Sequence, residues 1–223
     1  MGNLDLYNFV DNHDVERIYT KLSNKAHFTP VHILLYTLPG IPSIYYGSEF
    51  GIEGRKERSS DDSLRPALNI TDYKDAVTSN PCTALITALG KIRQHTPALS
   101  YGSYTELQLT NRQYAFARDL DNMRVIITVN NDDNDAWMNL PAGNAAEYVG
   151  TLTGQKVAVE GGCINVCVGA NSGEIWVPTE DTSVPETFSE NKDSIVEETP
   201  VTQEEVKNEG SAETKTAPAS SIC

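Results

Sequence analysis

Two strand-length apolar runs with an apolar helix between them constrain the fold of this chain more than any other feature. The runs LDLYNFV and IPSIYYG occupy residues 4–10 and 41–47. Between them, Thr29 and Pro30 predict an N-cap and a first helical position for the apolar segment VHILLYTL, which a Pro-Gly pair ends. A strand, a helix and a second strand in this order are typical of a parallel sheet that carries its helices on the outside.

A second helix follows the second strand after a long polar loop. The loop spans residues 49–75, and Asn80-Pro81 opens a helix whose apolar residues repeat at the helical period. The chain is therefore predicted to begin with two βα units. Two parallel strands alone would leave both faces and both edges of their sheet uncovered, so we expect that these units belong to a fragment or dock onto a partner.

The pattern changes after Pro97, where eight short β-rich runs replace helix and loop. The runs lie between Tyr101 and Pro178 and are separated by turn signals such as a Gly-Gly pair. Strands at such close spacing predict an antiparallel β-sandwich. We therefore predict three regions, which are residues 1–97, 98–178 and 179–223.

The third region is acidic and poor in apolar residues. Residues 179–223 hold eleven acids and three lysines, a net charge of −8, which leaves −6 of the formal total of −14 for residues 1–178. Such a segment cannot bury enough apolar area to offset the entropy of ordering, so it is predicted to be a disordered tail. Acidic charge on both parts of the chain argues against nucleic acid or a membrane as a partner, because both would repel it.

The cysteines and the first residues favour a cytoplasmic protein. Four cysteines are too few for a disulfide scaffold. The strand-like segment CINVCV holds Cys163 and Cys167 with no histidine nearby to complete a zinc site, so both are predicted to be buried free thiols. The first residues lack the charged and apolar segments of a signal peptide, and no apolar run reaches 18 residues.

Three segments of the first region carry polar and aromatic side chains in a recognisable order. They are FVDNHD at residues 9–14, GIPSIYYGSE at 40–49 and DDSLRP at 61–66. Together they resemble the end of strand seven, strand eight and the loop after it in the alpha-amylase family of glycoside hydrolases (family 13). The resemblance implies an α/β fold in which residues 1–97 form the last two βα units of a TIM (β/α)8 barrel. The predicted sandwich would then be the C-terminal β domain of that family.

The motif Asn12-His13-Asp14 is the candidate site, because the active site of such a barrel lies at the carboxyl ends of its strands. The resemblance implies that Asp14 is the carboxylate that stabilises an oxocarbenium-like transition state. It also implies that His13, Asp61 and Arg65 bind the sugar, while Asn12 is expected to brace the loop. The expected substrate is an α-glucan or maltodextrin, hydrolysed with retention of configuration.

The sequence departs from the family pattern at the catalytic carboxylates. The family carries its nucleophile and its general acid after strands four and five, the nucleophile in a G-x-R-x-D context, and no R-x-D occurs in this chain. We therefore expect that the chain alone is inactive and requires the missing N-terminal part of the barrel. No cofactor or metal is expected here, with calcium left open in the missing part. The alternative is a non-catalytic carbohydrate-binding or partner-docking module that keeps one sugar subsite.

Each candidate residue also has a purely structural interpretation. Asp14 would cap a helix that opens at Val15, and Asp61 with Arg65 would be a solvated ion pair of a charged loop. A His-Asp pair also occurs in metal phosphohydrolases, but the remaining histidines form no second cluster in the sequence. Arg17 and Glu49 are interpreted as structural ion-pairing residues. Tyr45 and Tyr46 would belong either to the barrel core or to a platform for a sugar. Trp137 and Trp176 are expected in the core rather than stacked on a sugar.

Overall fold

The computed structural model describes residues 5–179. Its α-helices are α1 Ile18–Lys21, α2 Phe28–Thr37, α3 Ala76–Ser79, α4 Pro81–His95 and α5 Pro97–Tyr101. Short 3₁₀ turns cover Lys25–His27, Ser48–Phe50 and Ile70–Tyr73. The strands are β1 Tyr7–Asn8, β2 Ile41–Pro42, β3 Ser103–Leu109, β4 Gln113–Leu120, β5 Met123–Asn130, β6 Ala136–Pro141, β7 Glu147–Gly150, β8 Lys156–Ala158, β9 Cys163–Val168 and β10 Ser172–Pro178. None of the helices in this range is long and apolar enough to cross a membrane.

Strands β1 and β2 form a parallel pair, as the sequence predicts, but each is only two residues long. Tyr7 lies opposite Ile41, and the Ile41 N–H donates to the Leu6 carbonyl at 2.7 Å. Each strand has one neighbour among the described residues, and large apolar side chains of the pair, Tyr7 (66% exposed) among them, lie open to solvent. The predicted strands of seven residues are therefore wrong in length, because no second neighbour is present to extend the ladder.

Helix α2 begins two residues earlier than predicted, at Phe28 rather than Pro30. The Asn24 side chain accepts from the Ala26 N–H and opens a 3₁₀ turn that runs directly into the helix at Phe28. Thr29 is therefore not an N-cap, and Pro30 lies inside the first turn, where its missing N–H has no intrahelical acceptor anyway. The predicted end is correct, because α2 ends at Thr37, shortly before the Pro-Gly pair.

Helix α4 begins where the sequence predicts, and α5 is a helix that the sequence does not predict. The Asn80 side chain accepts from the N–H groups of Cys82 and Thr83, with Pro81 in the first helical position. Helix α5 then ends at Tyr101, which the sequence pattern assigns to the first strand. A Pro at the first helical position restarts the helix here, and β3 begins only at Ser103.

The strands after α5 form two antiparallel sheets. One has six strands in the order β3-β4-β5-β10-β7-β8, and the other pairs β6 with β9. One face of the six-stranded sheet packs on the helices, and the shared core includes residues from α2, α4 and α5: Ile33, Leu89, Ile92, Ala98 and Leu99 together with Phe116, Val125, Ile127, Val129, Ile175 and Val177. A second core joins the sheet to β6 and β9 through residues such as Ile126, Trp176, Met138 and Val166.

Two arginines bind carbonyl groups at the end of α2, and neither has an acidic partner among the described residues. Arg93 of α4 donates to the carbonyls of Tyr36 at 2.6 Å and Gly40 at 2.7 Å. Arg118 of β4, fully buried, donates to the Thr37 carbonyl at 2.7 Å and to the Gly102 carbonyl at 2.8 Å. These carbonyls lie at or just beyond the ends of α2 and α5, where no helical N–H is available to them. Arg93 therefore joins α4 to α2, and Arg118 joins α2 and α5 to the six-stranded sheet.

Two of the predictions about core residues are wrong. Trp176 is buried and donates its indole N–H to Thr128 Oγ1 at 3.1 Å, but Trp137 is 69% exposed. Cys163 and Cys167 are free but only half-buried. The cause is their register in β6 and β9, where Trp137 pairs with Cys167 on the face that points away from the core.

The described residues contain parallel and antiparallel sheets but no closed barrel. The division at residue 97 and the sandwich stay predictions, and the core that joins the helices to the six-stranded sheet has members on both sides of residue 97. The predicted disordered tail from residue 180 onward lies outside the described residues.

Candidate active site

The motif Asn12-His13-Asp14 begins four residues after the end of β1, beyond the carboxyl end of the parallel pair. The Asn12 side chain accepts from the Asp14 N–H at 2.8 Å, which folds the segment into a tight local turn. The turn directs His13 and Asp14 towards the same side, where His13 Nε2 lies 3.2 Å from Asp14 Oδ2. Asn12 thus holds the backbone that presents the two other side chains.

The loop after β2 brings Asp61 and Arg65 to the same place. Arg65 Nη2 lies 3.3 Å from Asp14 Oδ1 and 3.5 Å from Asp61 Oδ2, and Arg65 Nε donates to the His13 carbonyl at 3.3 Å. Lys56 Nζ lies 2.7 Å from the other oxygen of Asp61. The hydrogen bond from Lys56 holds the pKa of the Asp61 carboxyl below its usual range. Four of the five predicted site residues therefore form one connected cluster of side chains across a separation of about fifty residues.

The cluster lies open to solvent. The Asp14 side chain is 60% exposed, and those of His13, Asp61 and Arg65 are also well exposed. The contacts of Arg65 are at the long end of the hydrogen-bond range, and solvated ion pairs of this kind contribute little to stability. The carboxylate oxygens of Asp14 are therefore accessible to a ligand that could replace water around them.

A buried network beneath the cluster positions it. Asp11 is buried, accepts from the Ile18 N–H at 2.8 Å and accepts from Ser48 Oγ at 2.8 Å. Arg17 is also buried and donates to the carbonyls of Tyr46 at 2.6 Å and Leu64 at 2.8 Å. These contacts tie the segment after β1 to the segment after β2 and to the loop that carries Arg65.

The same network corrects two structural predictions. Asp14 does not cap a helix at Val15, because the first helix begins at Ile18 and its N–H is bound by Asp11. Arg17 does not pair with Glu49. Its guanidinium binds carbonyls and Ser48 Oγ, and Oε2 of Glu49 is buried without a hydrogen-bond partner within residues 5–179.

Comparison with known proteins identifies the family of these motifs. The model described as "Alpha amylase, catalytic domain" matches residues 3–157. The chain belongs to the alpha-amylase family. A cyclomaltodextrin glucanotransferase of Bacillus sp. (strain 1-1) is 29% identical over 190 residues, which cover 82% of this chain and 26% of that protein. The cyclomaltodextrin glucanotransferase of Paenibacillus macerans is 26% identical, with 81% and 25% covered. The chain thus spans about a quarter of the length of the curated relatives it matches.

Solved structures of alpha-amylases share the fold. An Anoxybacillus alpha-amylase superimposes with a TM-score of 0.67 at 24% identity, covering 78% of this chain and 38% of that one. The alpha-amylase from Geobacillus thermoleovorans, solved in complex with acarbose, gives a TM-score of 0.68 at 22% identity, with 80% and 40% covered. At these identities the comparisons support an α/β amylase-type fold and nothing more specific.

Two tyrosines adjoin the cluster in this member of the alpha-amylase family. The Arg17 guanidinium carbon lies 4.3 Å from the centroid of the Tyr45 ring and 5.2 Å from that of Tyr46. The Tyr45 ring centroid is 6.5 Å from that of His13, and Tyr46 donates its hydroxyl to the Pro66 carbonyl at 3.1 Å. Burial, followed by the hydrogen bond with Tyr46, raises the pKa of Tyr45. Neither ring belongs to a buried core, and Tyr45 forms a wall between His13 and Arg17.

The chemistry available at this site is the recognition of hydroxyl groups by charged side chains. Ionised Asp14 only accepts hydrogen bonds, Arg65 only donates them, and His13 does either according to its tautomer. Within residues 5–179 no three His, Cys, Asp or Glu side chains are grouped so as to hold a metal ion. Sequence reasoning missed Asp11 and Ser48, although short polar residues that flank both apolar runs were the available signal. It recognised Arg17 as structural but gave it the wrong kind of partner.

Proposed function

We propose that this chain supplies the last two βα units and the C-terminal β-sandwich domain of a retaining glycoside hydrolase that cleaves α-glucosidic bonds of α-glucans or maltodextrins. The observation that carries the proposal is the cluster of Asp14, His13, Asp61 and Arg65 at the carboxyl ends of β1 and β2. The family membership of the chain supports the class of reaction. Three curated relatives named cyclomaltodextrin glucanotransferase support a glucan substrate.

Asp14 is proposed to stabilise the transition state. As the glycosidic bond breaks, positive charge develops on the sugar ring and its hydroxyls become better hydrogen-bond donors. A carboxylate that accepts from two ring hydroxyls therefore binds the transition state more tightly than the ground state, which is the condition for catalysis. Asp14 has one oxygen near Arg65 and the other near His13, so its orientation is set before a substrate arrives.

Arg65 and Asp61 are proposed to bind the sugar next to the bond that is cleaved. A forked guanidinium beside a carboxylate suits a pair of neighbouring hydroxyls, one of which accepts while the other donates. The charge on that sugar changes little during the reaction. These residues are therefore expected to contribute the same binding energy to the ground state and to the transition state.

The nucleophile and the general acid are proposed to come from barrel strands outside these 223 residues. A retaining glycosidase needs two carboxyl groups about 5 to 5.5 Å apart on either side of the bond. The cluster offers Asp14 and Asp61, but both are bound by Arg65, so neither is placed as a free acid–base partner of the other. The purified chain alone is therefore expected to show no turnover of starch or maltodextrin above a buffer blank.

The test is steady-state kinetics on maltoheptaose with the complete enzyme that contains these residues. Asp14→Asn is expected to lower kcat at least about a hundredfold, near 3 kcal/mol, with a small change in KM. Arg65→Ala is expected mainly to raise KM, by roughly 1 to 2 kcal/mol of lost binding. Asp62→Asn is the matched control, because Asp62 lies in the same loop with an exposed side chain, and should change neither constant.

The result also separates the alternatives. Equal effects of Asp14→Asn and Arg65→Ala on KM, with kcat unchanged in both, would contradict catalysis and favour the non-catalytic carbohydrate-binding module. Product analysis on the unmodified enzyme distinguishes hydrolysis from transfer, the activity that the name of the relatives implies. Longer or cyclic glucans as the main products would replace hydrolysis by glucan transfer in this proposal while leaving the role of Asp14 intact.

A further inference from the structure

The outward face of strands β6 and β9 carries an exposed tryptophan with a row of uncharged polar residues beside it. Trp137, Asn139 and Pro141 point outward from β6, while Met138 and Leu140 point into the core. Their partners across the pair, Cys167, Asn165 and Cys163, complete the row. Trp137, the second residue of β6, is 69% exposed and so presents a large, flat apolar ring to solvent.

The amide groups next to this indole are free to bind a ligand. Asn139 and Asn165 lie directly opposite each other, about 7 Å along the strands from Trp137 and Cys167. Within residues 5–179 neither of the two side-chain amides makes a hydrogen bond to the protein. Each amide therefore offers one acceptor and two donor positions to solvent or to a ligand.

A polar cleft continues this row away from the tryptophan. It has a volume of about 680 Å³ and is lined by Asn139, Asn165, Gln155 and Glu160 among others. This volume lies within the range of small-molecule sites. Beside the two asparagines, the lining contributes the Gln155 amide, the Glu160 carboxylate and the Lys156 ammonium group. The surface therefore runs from a flat aromatic ring at one end to hydrogen-bonding groups at the other.

We propose that this face is a second binding site for an α-glucan chain, separate from the cluster around Asp14. A sugar ring has an apolar face of C–H groups and an edge of hydroxyls. Trp137 offers the flat apolar surface for the first, and Asn139 with Asn165 offers donors and acceptors for the second. The six outward residues of β6 and β9 carry no formal charge, which suits a neutral ligand in a chain whose net charge is −14.

Two parts of this proposal rest on different grounds. The sugar chemistry rests on the β6–β9 face alone. The α-linkage rests on the proposed function, because a glucan held here would stay near the enzyme that cleaves it. The experiment therefore includes both an α-linked and a β-linked oligosaccharide.

Calorimetric titration of the 223-residue chain with maltoheptaose is the first measurement. Trp137→Ala is expected to weaken binding at least about tenfold, and Asn165→Ala about threefold. Tyr101→Ala is the matched control, because Tyr101 is an exposed aromatic residue on α5, 81% exposed and away from this face, and should leave the affinity within about twofold. Asp14→Asn should leave the Trp137-dependent binding intact, so this site can be supported even if the proposed catalytic role of Asp14 fails.

The cysteines provide a second readout that does not depend on calorimetry. Cys163 and Cys167 lie on the proposed site and are half-exposed, whereas Cys82 is buried. Maltoheptaose at saturation is expected to slow the alkylation of Cys167 by iodoacetamide at least about threefold, measured peptide by peptide with mass spectrometry. Cys82 should stay unlabelled throughout, which verifies that each variant is folded.

Several outcomes would overturn the proposal. Unchanged affinity in a folded Trp137→Ala protein, or unchanged alkylation of Cys167 at saturating sugar, would show that the face does not bind a glucan. Equal binding of cellohexaose would refute the α-linked assignment. A doubling of molecular mass that disappears in Trp137→Ala would make this face an interface between two copies of the chain instead.

Discussion

The exposed cluster around Asp14 and the six-stranded sheet use charged side chains in opposite ways. Asp14 and Arg65 are exposed and meet at 3.3 Å. Glu174 of β10 is buried, and its carboxylate accepts from the N–H groups of Leu152 and Thr153 at 2.9 Å and from that of Ile175 at 2.8 Å. The buried carboxylate of Glu174 accepts hydrogen bonds at both oxygens, whereas Asp14 and Arg65 use only part of their hydrogen-bonding capacity on each other.

This difference distinguishes the charged residues that stabilise the fold from those that are expected to bind a ligand. A buried charge without its partners costs several kcal/mol, so Glu174 and Arg118 are fixed by the fold that they complete. An exposed carboxylate exchanges water for a ligand at little cost to the fold. Stability is therefore expected to reside in the six-stranded sheet, and binding in the open cluster. Four measurements test this division, beginning with the largest expected effect.

Truncation of a core aromatic residue should produce the largest loss of stability. Phe116 of β4 is fully buried between the sheet and the helices. Phe116→Ala is expected to lower the free energy of unfolding by about 3 to 5 kcal/mol in urea denaturation. Tyr7→Ala, on the exposed face of β1, should cost less than about 1 kcal/mol. Similar losses in the two variants would mean that β1 contributes as much to the fold as the large sheet does.

Removal of the guanidinium that joins α2 to the sheet should have the next largest effect. Arg118→Met keeps much of the side-chain volume but leaves the Thr37 and Gly102 carbonyls without their donor. The expected loss is about 2 to 4 kcal/mol, because each unsatisfied buried acceptor costs about 1 to 3 kcal/mol. Arg112→Met, at an exposed position one residue before β4, should stay within about 0.5 kcal/mol. A tolerated Arg118→Met would contradict the role given to this arginine.

The free energy of unfolding is expected to decrease as the pH falls below neutral, because one histidine is buried. Burial lowers the pKa of His32, whose Nδ1 lies 2.8 Å from the Phe28 carbonyl and whose Nε2 is buried without a partner within residues 5–179. Below about pH 6.5 the unfolded chain therefore binds a proton at this histidine that the folded chain does not bind. The free energy of unfolding then decreases as the pH falls, by at most about 1.4 kcal/mol per pH unit.

A matched pair of variants isolates this effect. His95 makes the same contact with the carbonyl four residues earlier, at 2.8 Å, but is exposed. His32→Gln should flatten the dependence of unfolding free energy on pH between 6.5 and 5, and His95→Gln should leave it unchanged. An identical slope in the unmodified protein and in His32→Gln would assign the pH dependence to other groups.

The exposed cluster should have the smallest effect on stability. Asp14→Asn and Arg65→Ala are each expected to change the free energy of unfolding by no more than about 0.5 kcal/mol, because both side chains are solvated. Thermal unfolding at matched pH and ionic strength measures this directly. A loss of 2 kcal/mol or more in either variant would show that the cluster is part of the framework and would remove the contrast between the two regions.

Local chemistry made much of the fold predictable from the sequence. The amide of Asn80 and the ring of Pro81 specify the start of α4 through bonds within three residues, and the Pro-Gly pair after α2 specifies its end in the same way. The strands after Asn111 follow from alternation and turn residues. The motif around Asp14 could be singled out because three consecutive polar residues follow an apolar run.

Contacts between distant segments explain most of what the sequence did not predict. Arg17 was expected to meet an acid, but the chain folds three carbonyl and hydroxyl groups around it, and no local pattern specifies these. The lengths of β1 and β2 depend on neighbouring strands rather than on their own residues. Trp137 was predictable in principle, since the alternation with Met138 and Leu140 assigns it to the outward face.

The core that joins the helices to the six-stranded sheet limits how this protein can be recombined with its relatives. Ile33, Leu89 and Ile92 pack with Phe116 and Val177, so this core has members on both sides of the junction between α4 and α5. A chimaera that changes parent at this junction would combine two halves of a core that come from different proteins, and mismatched volumes in close-packed cores are costly. An exchange of β6 and β9 would leave this core intact and would disturb only the second core, which these two strands share with the sheet. Such an exchange would transfer the face around Trp137 to another parent while leaving the helices and the cluster around Asp14 in their original setting.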